Sequence, residues 1–397
     1  MYRERFHIPV QQNTQKPYIY FCGNSLGLQP KGVLEAIQQE LQDWANLGVE
    51  GHFHGKNPWA KYHEFFSEKA ARLVGANPVE VVMMNNLTVN LHLMMVSFYR
   101  PNPKRYKIII EGGAFPSDQY AVKSQILFHG YKVEDALIEL VPRKNEHTLR
   151  AEDIIQAIHD AGDSLAMVML GGVNYYTGQA FDMQKITQAA HTVGAIAGFD
   201  LAHAAGNLVL HLHDWDVDFA VWCTYKYLNS GPGAVSGCFV HEKYGNNPEL
   251  PRFAGWWGHD EKTRFLMGSD FVPMLGAAGW QLSNAPVMNM VAHKVSLDIF
   301  DEATMPVLRK KAEEMIQVLL ERIQNHVEII TPPELKDRGC QTSIRVGKQG
   351  KAIFQKLSDA GIIADWREPD VIRIAPVPLY NTLEEIDEFA KLLKKII

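Results

Sequence analysis

From about residue 80 onward the sequence alternates short, almost wholly apolar runs with amphipathic stretches of helical spacing, and this alternation constrains the fold more than any other feature. Val81–Met84, Tyr106–Ile110, Leu137–Val141, Leu165–Leu170, Ala195–Phe199, Phe219–Trp222 and Ser236–Val240 read as strands. Between them lie helical patterns: one running to about Tyr99, then Ser117–Phe128, Ala151–Ala161 and Asp182–His191. In Ala151–Ala161, Ile154, Ile155 and Ile158 share one face. Strands that are apolar throughout must be covered on both faces. The pattern therefore predicts an α/β architecture with a mostly parallel sheet between helical layers.

The character changes after residue 285. Pro286–Phe300 and Pro306–Gln324 read as long helices, followed by shorter strands at Glu328–Ile330, Thr342–Val346 and Val371–Ile374. Asn381, with Glu384 three positions on, resembles a capping-box start for the last helix. These features predict a large domain over 56–285, a smaller α+β domain over 286–397, and an N-terminal segment, 1–55, that packs with the small domain. Lys31–Asn46 and Trp59–Val74 are helix-like and precede the large sheet. A chain of 397 residues suits two or three such units.

Composition removes several function classes. The net charge of -6 argues against a basic nucleic-acid surface or an electrostatic membrane anchor. No apolar run is long enough to span a bilayer, and the opening MYRERFHIPV has none of the apolar character of a secretory signal. The four cysteines include no CxxC pair, so the expectation is a reduced, cytoplasmic protein with buried thiols and no metal centre.

Two segments carry the chemistry. Asp200 closes an apolar run in Phe199-Asp200-Leu201-Ala202-His203, at the carboxyl end of a strand, where open α/β sheets place ligands. Alone, it serves equally well as a cap for the next helix. Lys226, in Trp222-Cys223-Thr224-Tyr225-Lys226-Tyr227-Leu228, follows a strand, sits between two tyrosines and leads into Gly231-Pro232-Gly233. A lysine hemmed by aromatics suits imine chemistry with a carbonyl; it equally suits a surface lysine whose stem lies on apolar neighbours. Together the two segments match the arrangement of aspartate-aminotransferase-type pyridoxal-phosphate (PLP) enzymes. There the aspartate holds the ring nitrogen and the lysine holds the aldehyde carbon.

Over essentially the whole chain the sequence resembles the kynureninases. The resemblance is carried by Gly23 to Pro30, Asn86 to His92, Phe115-Pro116-Ser117-Asp118, Tyr176-Thr177-Gly178-Gln179, Asp200 to Asn207, Tyr225 to Asn229, Gly255 to His259 and Arg373 to Asn381. It implies a PLP-dependent fold type I enzyme that hydrolyses a carbon–carbon bond of kynurenine or 3-hydroxykynurenine, in tryptophan catabolism and de novo NAD biosynthesis. It implies that Lys226 carries the cofactor, Asp200 pairs with the ring nitrogen, His203 lies beside the ring and Phe115 stacks on it. Leu87, Thr88, Tyr225 and Trp256 would form the phosphate cup. Pro116, Ser117, Asp118, Gly171 and Asn284 are further cofactor-side positions. Ser25, His52, Trp257, Asn284 and Arg373 would line the substrate pocket, with Arg373 gripping the α-carboxylate. Tyr225 is the candidate acid. A homodimer with active sites at its interface is implied as well.

The sequence departs from the family pattern in places. Gly171 stands where some relatives carry serine, Trp257 where others carry phenylalanine, and Asn85-Asn86-Leu87-Thr88 lacks the glycine-rich loop of many PLP enzymes. His52 and Asn284 are polar and expected at the aromatic end of the pocket, which predicts a preference for the hydroxylated substrate. Three rival readings remain. Gly23-Asn24-Ser25-Leu26-Gly27 matches the GxSxG elbow of α/β-hydrolases. Another PLP reaction is the second, an aminotransferase or a cysteine desulfurase, for which Cys340 is the one candidate cysteine near the C-terminal part. A non-catalytic PLP-fold scaffold is the third.

Overall fold

The computed structural model describes residues 2–397. Its central sheet has seven strands in the order Val81–Met84, Ser236–Val240, Phe219–Trp222, Ile196–Asp200, Leu165–Gly171, Lys107–Glu111, Leu137–Leu140. Ser236–Val240 pairs antiparallel with both neighbours; the other pairings are parallel. Successive side chains leave a strand on opposite faces. Val168 and Leu170 thus join one apolar cluster with the helices Glu64–Val74, Ala151–Ala161 and Met183–Thr192, while Met167 and Met169 join another with Leu87–Phe98 and Pro116–Phe128. That two-sided burial explains why the strands read as apolar throughout. Their expected ends hold to within a residue or so, except that Asp200 and Glu111 are themselves terminal strand residues.

The second sheet is antiparallel, in the order Asp365–Arg367, Val371–Ile374, Thr342–Arg345, Glu328–Ile329. Met315, Leu319, Leu357, Ile386 and Phe389, from the helices Met305–Ile323, Gly350–Asp359 and Leu383–Ile396, pack on its Ile344, Ile372 and Ile374. Two of these elements escape a reading of the sequence. Gly350–Asp359 opens on a glycine, and Asp365–Arg367 is a three-residue strand with two charged side chains, too short to show alternation.

The final helix starts one residue later than the pattern suggests. Thr382 is its cap and Glu385 closes the box. Asn381 instead accepts from Val377 N and donates to Tyr20 O, tying this corner to the N-terminal segment.

The N-terminal segment is split between the two cores. Ile19–Tyr20 pairs in parallel with Ile362–Ile363, and Ile19 and Phe21 sit in the core of the small sheet. Phe6 and Leu28 lie in the core of the large one, and the helix Val33–Leu47 runs against Val287–Ala303. That latter helix buries Met290, Val291, Leu297 and Phe300 in the large core. A boundary at residue 286 therefore passes through shared packing. Among the described residues no helix is long and apolar enough to cross a membrane.

Candidate active site

The parallel strands end together at one edge of the sheet, and their terminal residues Glu111, Gly171 and Asp200 line a cavity there. Leu87, Thr88, Phe115, Ser117, Asp118, His203, Tyr225 and Lys226 complete most of its wall. This brings together ten of the residues expected around the cofactor, from five separate stretches of chain. Lys226 Nζ lies 3.1 Å from His203 Nε2, 5.7 Å from the centroid of the Phe115 ring and 5.9 Å from that of Tyr225.

One end of the cavity is built for an anion. The helices Leu87–Phe98 and Pro116–Phe128 both begin there, the first capped by Asn86, which accepts from Val89 N, the second by the fixed φ of Pro116 at its first position. Their second residues meet: Thr88 Oγ1 and Ser117 Oγ are 2.8 Å apart. Free backbone N–H groups and two helix dipoles give this end the chemistry to hold an anion such as a phosphate. Pro116 thus shapes the site without lining it.

The other end holds carboxyls. Asp200 accepts from Ala202 N at 2.7 Å; burial raises its pKa, while that hydrogen bond and Lys226 act to lower it. Asp118 is driven well above the usual carboxylate range by burial and by Asp200 beside it. Burial, with Lys226, Arg373 and Arg367 nearby, pushes the His203 pKa well down, so its ring is neutral. Burial raises the Tyr225 phenol, which stays protonated. Asp118 Oδ1 and His203 Nδ1 are buried without a protein partner. Unsatisfied polar atoms on residues around an anion site, a lysine and an aspartate fit the polar groups of PLP.

Beside the cavity lies an arginine cluster. Arg373 is 1% exposed, and its Nη1 donates to Tyr175 O at 2.5 Å. Its Nη2 bonds Asp365 Oδ2 at 2.7 Å and Ser25 Oγ at 3.3 Å. Arg367 Nε lies 3.0 Å from the same Asp365 carboxylate. Ser25 Oγ also bonds Asp365. The serine of the GxSxG pattern is therefore an arginine-cluster ligand in the turn after Ile19–Tyr20, not a nucleophile beside a histidine.

Four expected pocket residues are elsewhere. Trp257 is 3% exposed, with the Arg264 guanidinium 4.2 Å over its ring, so it is packing and not a pocket wall. Trp256 is half-exposed against Phe265 and Trp257, outside the cavity lining. His52 and Asn284 share a separate cleft with Trp44, Trp59 and Met288. Within one chain, then, Asn284 does not reach the cofactor side, since it lines a different cleft from Lys226. Conversely, Glu111, Asn174, Tyr175 and Asp365 are site residues that motif reading misses. Glu111 could have been found by the rule that picks out Asp200, a carboxylate closing an apolar strand at the ligand edge. The other three sit in turns or short strands with no such signal.

A parallel sheet with lysine, aspartate and an anion site at its carboxyl edge defines the PLP-dependent enzymes of fold type I. Solved structures agree: a cysteine desulfurase from Thermococcus onnurineus NA1 superposes with a TM-score of 0.78 at 18% identity, over 96% of this chain and 94% of that one. A cysteine desulfurase from Escherichia coli gives 0.79 at 16%, over 99% and 97%. At such identity the likeness is of fold alone. Cys340, 1% exposed and with its thiol pKa pushed up to about 11 chiefly by burial, has none of the exposure that desulfurase chemistry requires.

Sequence relatives narrow the class. The pattern described as the kynureninase C-terminal domain matches residues 308–393. The kynureninase of Myxococcus xanthus is 56% identical over 99% of this chain and 93% of its own length, that of Koribacter versatilis 55% over 98% and 93%, and that of the animal Nematostella vectensis 50% over 94% and 84%. The chain belongs to the kynureninase family. Members of that family are PLP-dependent hydrolases of carbon–carbon bonds.

Proposed function

We propose that this chain hydrolyses the Cβ–Cγ bond of L-kynurenine and, by preference, of L-3-hydroxykynurenine. The products are L-alanine with anthranilate or 3-hydroxyanthranilate, and the setting is tryptophan catabolism and de novo NAD biosynthesis. The observation that carries the reading is the arginine cluster beside the Lys226 cavity. It holds two guanidinium groups and one carboxylate, an excess of one positive charge. An amino-acid α-carboxylate supplies the missing negative charge, and the Arg373 Nη1 hydrogen not engaged by Tyr175 O is a donor left to meet it.

Thr88, Ser117 and the N–H groups at Leu87 would hold the cofactor phosphate, Asp200 the ring nitrogen, Phe115 the ring face and Lys226 the aldehyde carbon. Bound PLP supplies an electron sink conjugated to the substrate α-carbon. Arg373 fixes the α-carboxylate, which orients the α-C–H bond toward Lys226. The Lys226 amine takes the α-proton; the neutral His203 ring, 3.1 Å away, leaves that amine free of an ion pair. Water adds to the γ-carbonyl, the Cβ–Cγ bond breaks, and the protonated Tyr225 phenol returns a proton to the β-carbon.

The preference for the hydroxylated substrate rests on His52 and Asn284. Their cleft is separate from the Lys226 cavity of the same chain. We place it opposite the Lys226 cavity of a second copy, in a homodimer whose sites lie at the interface. Support comes from the large apolar side chains left open at the cleft, Trp44 and Met288. A 3-hydroxyl would pair with polar groups that otherwise lose a partner on desolvation, worth about tenfold in kcat/KM.

The test is kcat/KM of the PLP-loaded protein for both substrates, for wild type and His52→Ala, with sedimentation giving the oligomeric state. Release of L-alanine with a preference that collapses in His52→Ala supports the reading. Equal values for both substrates refute the preference, a monomer refutes the shared site, and no L-alanine release refutes the reaction.

A further inference from the structure

We propose that Glu111 is a positioning residue for Arg373, acting through the turn at 174–178 whose Tyr175 braces both Arg373 and Phe115. The proposal rests on the reading of Arg373 as the α-carboxylate site.

Glu111 ends its strand in the large sheet, 4% exposed. Both its oxygens are used: Oε1 accepts from Gly171 N at 2.7 Å and Oε2 from Asn174 Nδ2 at 2.5 Å. No arginine or lysine pairs with it among the described residues. A buried carboxyl without a cation is costly to keep, so its hydrogen bonds must hold something in place.

What they hold is the Asn174 amide. Its Oδ1 accepts from Tyr176 N at 3.0 Å, Thr177 N at 2.8 Å and Thr177 Oγ1 at 3.1 Å. With the oxygen turned inward to the turn, the NH2 group faces out, and Glu111 is its acceptor. The carboxyl of Glu111 thereby sets which way Asn174 faces, and Asn174 sets the turn.

The turn presents Tyr175. Its carbonyl accepts from Arg373 Nη1 and, at 3.0 Å, from Gln341 Nε2. Its ring stands edge-on to Phe115, centroids 5.3 Å apart, and lies 6.0 Å from the Arg373 Cζ. Asp365 and Ser25 secure one edge of the guanidinium through Nη2; Tyr175 O secures the other. Arg373 belongs to the small sheet and Glu111 to the large one. The path Glu111–Asn174–Tyr175–Arg373 thus registers the carboxylate-binding arginine against the cofactor cavity.

Gly171 offers a second way to perturb the same contact. A Cβ at this position would stand 2.8 Å from Glu111 Oε1, so Gly171→Ala must push the carboxyl aside.

The experiment uses PLP-loaded Glu111→Gln, with L-kynurenine as substrate and L-alanine and anthranilate as binding probes. Glutamine turns an NH2 group toward one of the two donors. The expected result is a rise of about tenfold in KM for L-kynurenine and in Kd for L-alanine, which carries the α-carboxylate. The fall in kcat is smaller than that rise, and anthranilate binding stays within about twofold. In an Arg373→Lys background Glu111→Gln adds no further loss. Gly171→Ala raises the L-alanine Kd in the same direction and carries the test should Glu111→Gln fail to fold.

Unchanged L-alanine binding overturns the proposal. So does a parallel loss of kcat, cofactor content and anthranilate binding, which marks a merely structural role, or full additivity with Arg373→Lys. Wild type that binds L-alanine but cleaves no kynurenine refutes the proposed reaction, while the L-alanine measurements still decide the role of Glu111.

Discussion

Replacing Asp365 with asparagine tests the arginine cluster directly. The carboxylate sits between Arg373 Nη2 at 2.7 Å and Arg367 Nε at 3.0 Å, with Ser25 as a third partner. Asparagine keeps the shape and removes the charge. Arg373 is then a buried guanidinium with no counter-ion, and breaking a buried pair on one side costs about 3–5 kcal/mol. Arg367 is 38% exposed at its side chain, so water replaces most of its share and it adds about 0–1 kcal/mol. Asp365 keeps slight exposure, which points to the lower part of the range, about 3 kcal/mol. For a chain of this length that corresponds to a fall in Tm of about 3–4 °C. The assay is urea denaturation of wild type, Asp365→Asn, Arg373→Met and the double variant. Removing both partners removes the stranded charge, so the double variant loses less than the sum, with a coupling of about 2–3 kcal/mol. Additive losses, or an Asp365→Asn variant within about 0.5 kcal/mol of wild type, would refute the reasoning that this carboxylate balances Arg373.

Three further outcomes follow from the same structure. Lys226→Ala should abolish turnover and remove the visible absorption of bound cofactor, read by spectrophotometry after PLP addition and desalting; a retained band would move the cofactor site away from Lys226. Thr88→Val deletes the hydroxyl that meets Ser117 at the paired helix starts, and should raise the PLP dissociation constant about tenfold with little change in fold; unchanged affinity in a fluorescence titration counts against the phosphate site. His63 and His293 are buried, with pKa values pushed down to about 4 and about 3, chiefly by desolvation. Their folded pKa values lie below the unfolded value of about 6.5, so the unfolded chain takes up more protons and stability drops as pH falls below about 6.5, by about 2 kcal/mol per histidine at pH 5. Urea titrations at pH 7.5 and 5 should show this, with a shallower dependence in His293→Gln; an unchanged dependence in that variant is the failing result.

Much of the cofactor side was legible from local pattern. Asp200 closes one apolar strand and Lys226 follows another, and strand ends in a parallel sheet share one edge, so linear pattern carries spatial information there. Thr88 and Ser117 came from the family resemblance; they sit one residue inside helices whose caps are Asn86 and Phe115. The capping box at Thr382 was misplaced by one residue because Asn381, also a good cap, is engaged with Tyr20 O and Val377 N, contacts invisible in sequence. Trp257 shows the reverse error: an aromatic in a motif block is a plausible pocket wall until Arg264 is seen stacked on it.

By itself, the sequence determined the α/β class and the strand and helix succession of the large sheet, because hydrophobic period is a local property of the chain; the lysine–aspartate pair needed the match to a known arrangement as well. Only the tertiary structure decided that Asp365 neutralises Arg373 while Glu111 braces Asn174, and that His52 and Asn284 open onto a different cleft from Lys226. Asp365 meets Arg373 through the register of two adjacent strands of the small sheet, whereas Glu111 with Asn174 and His52 with Asn284 come together from distant parts of the chain, where no local periodicity operates and packing sets the choice of partner.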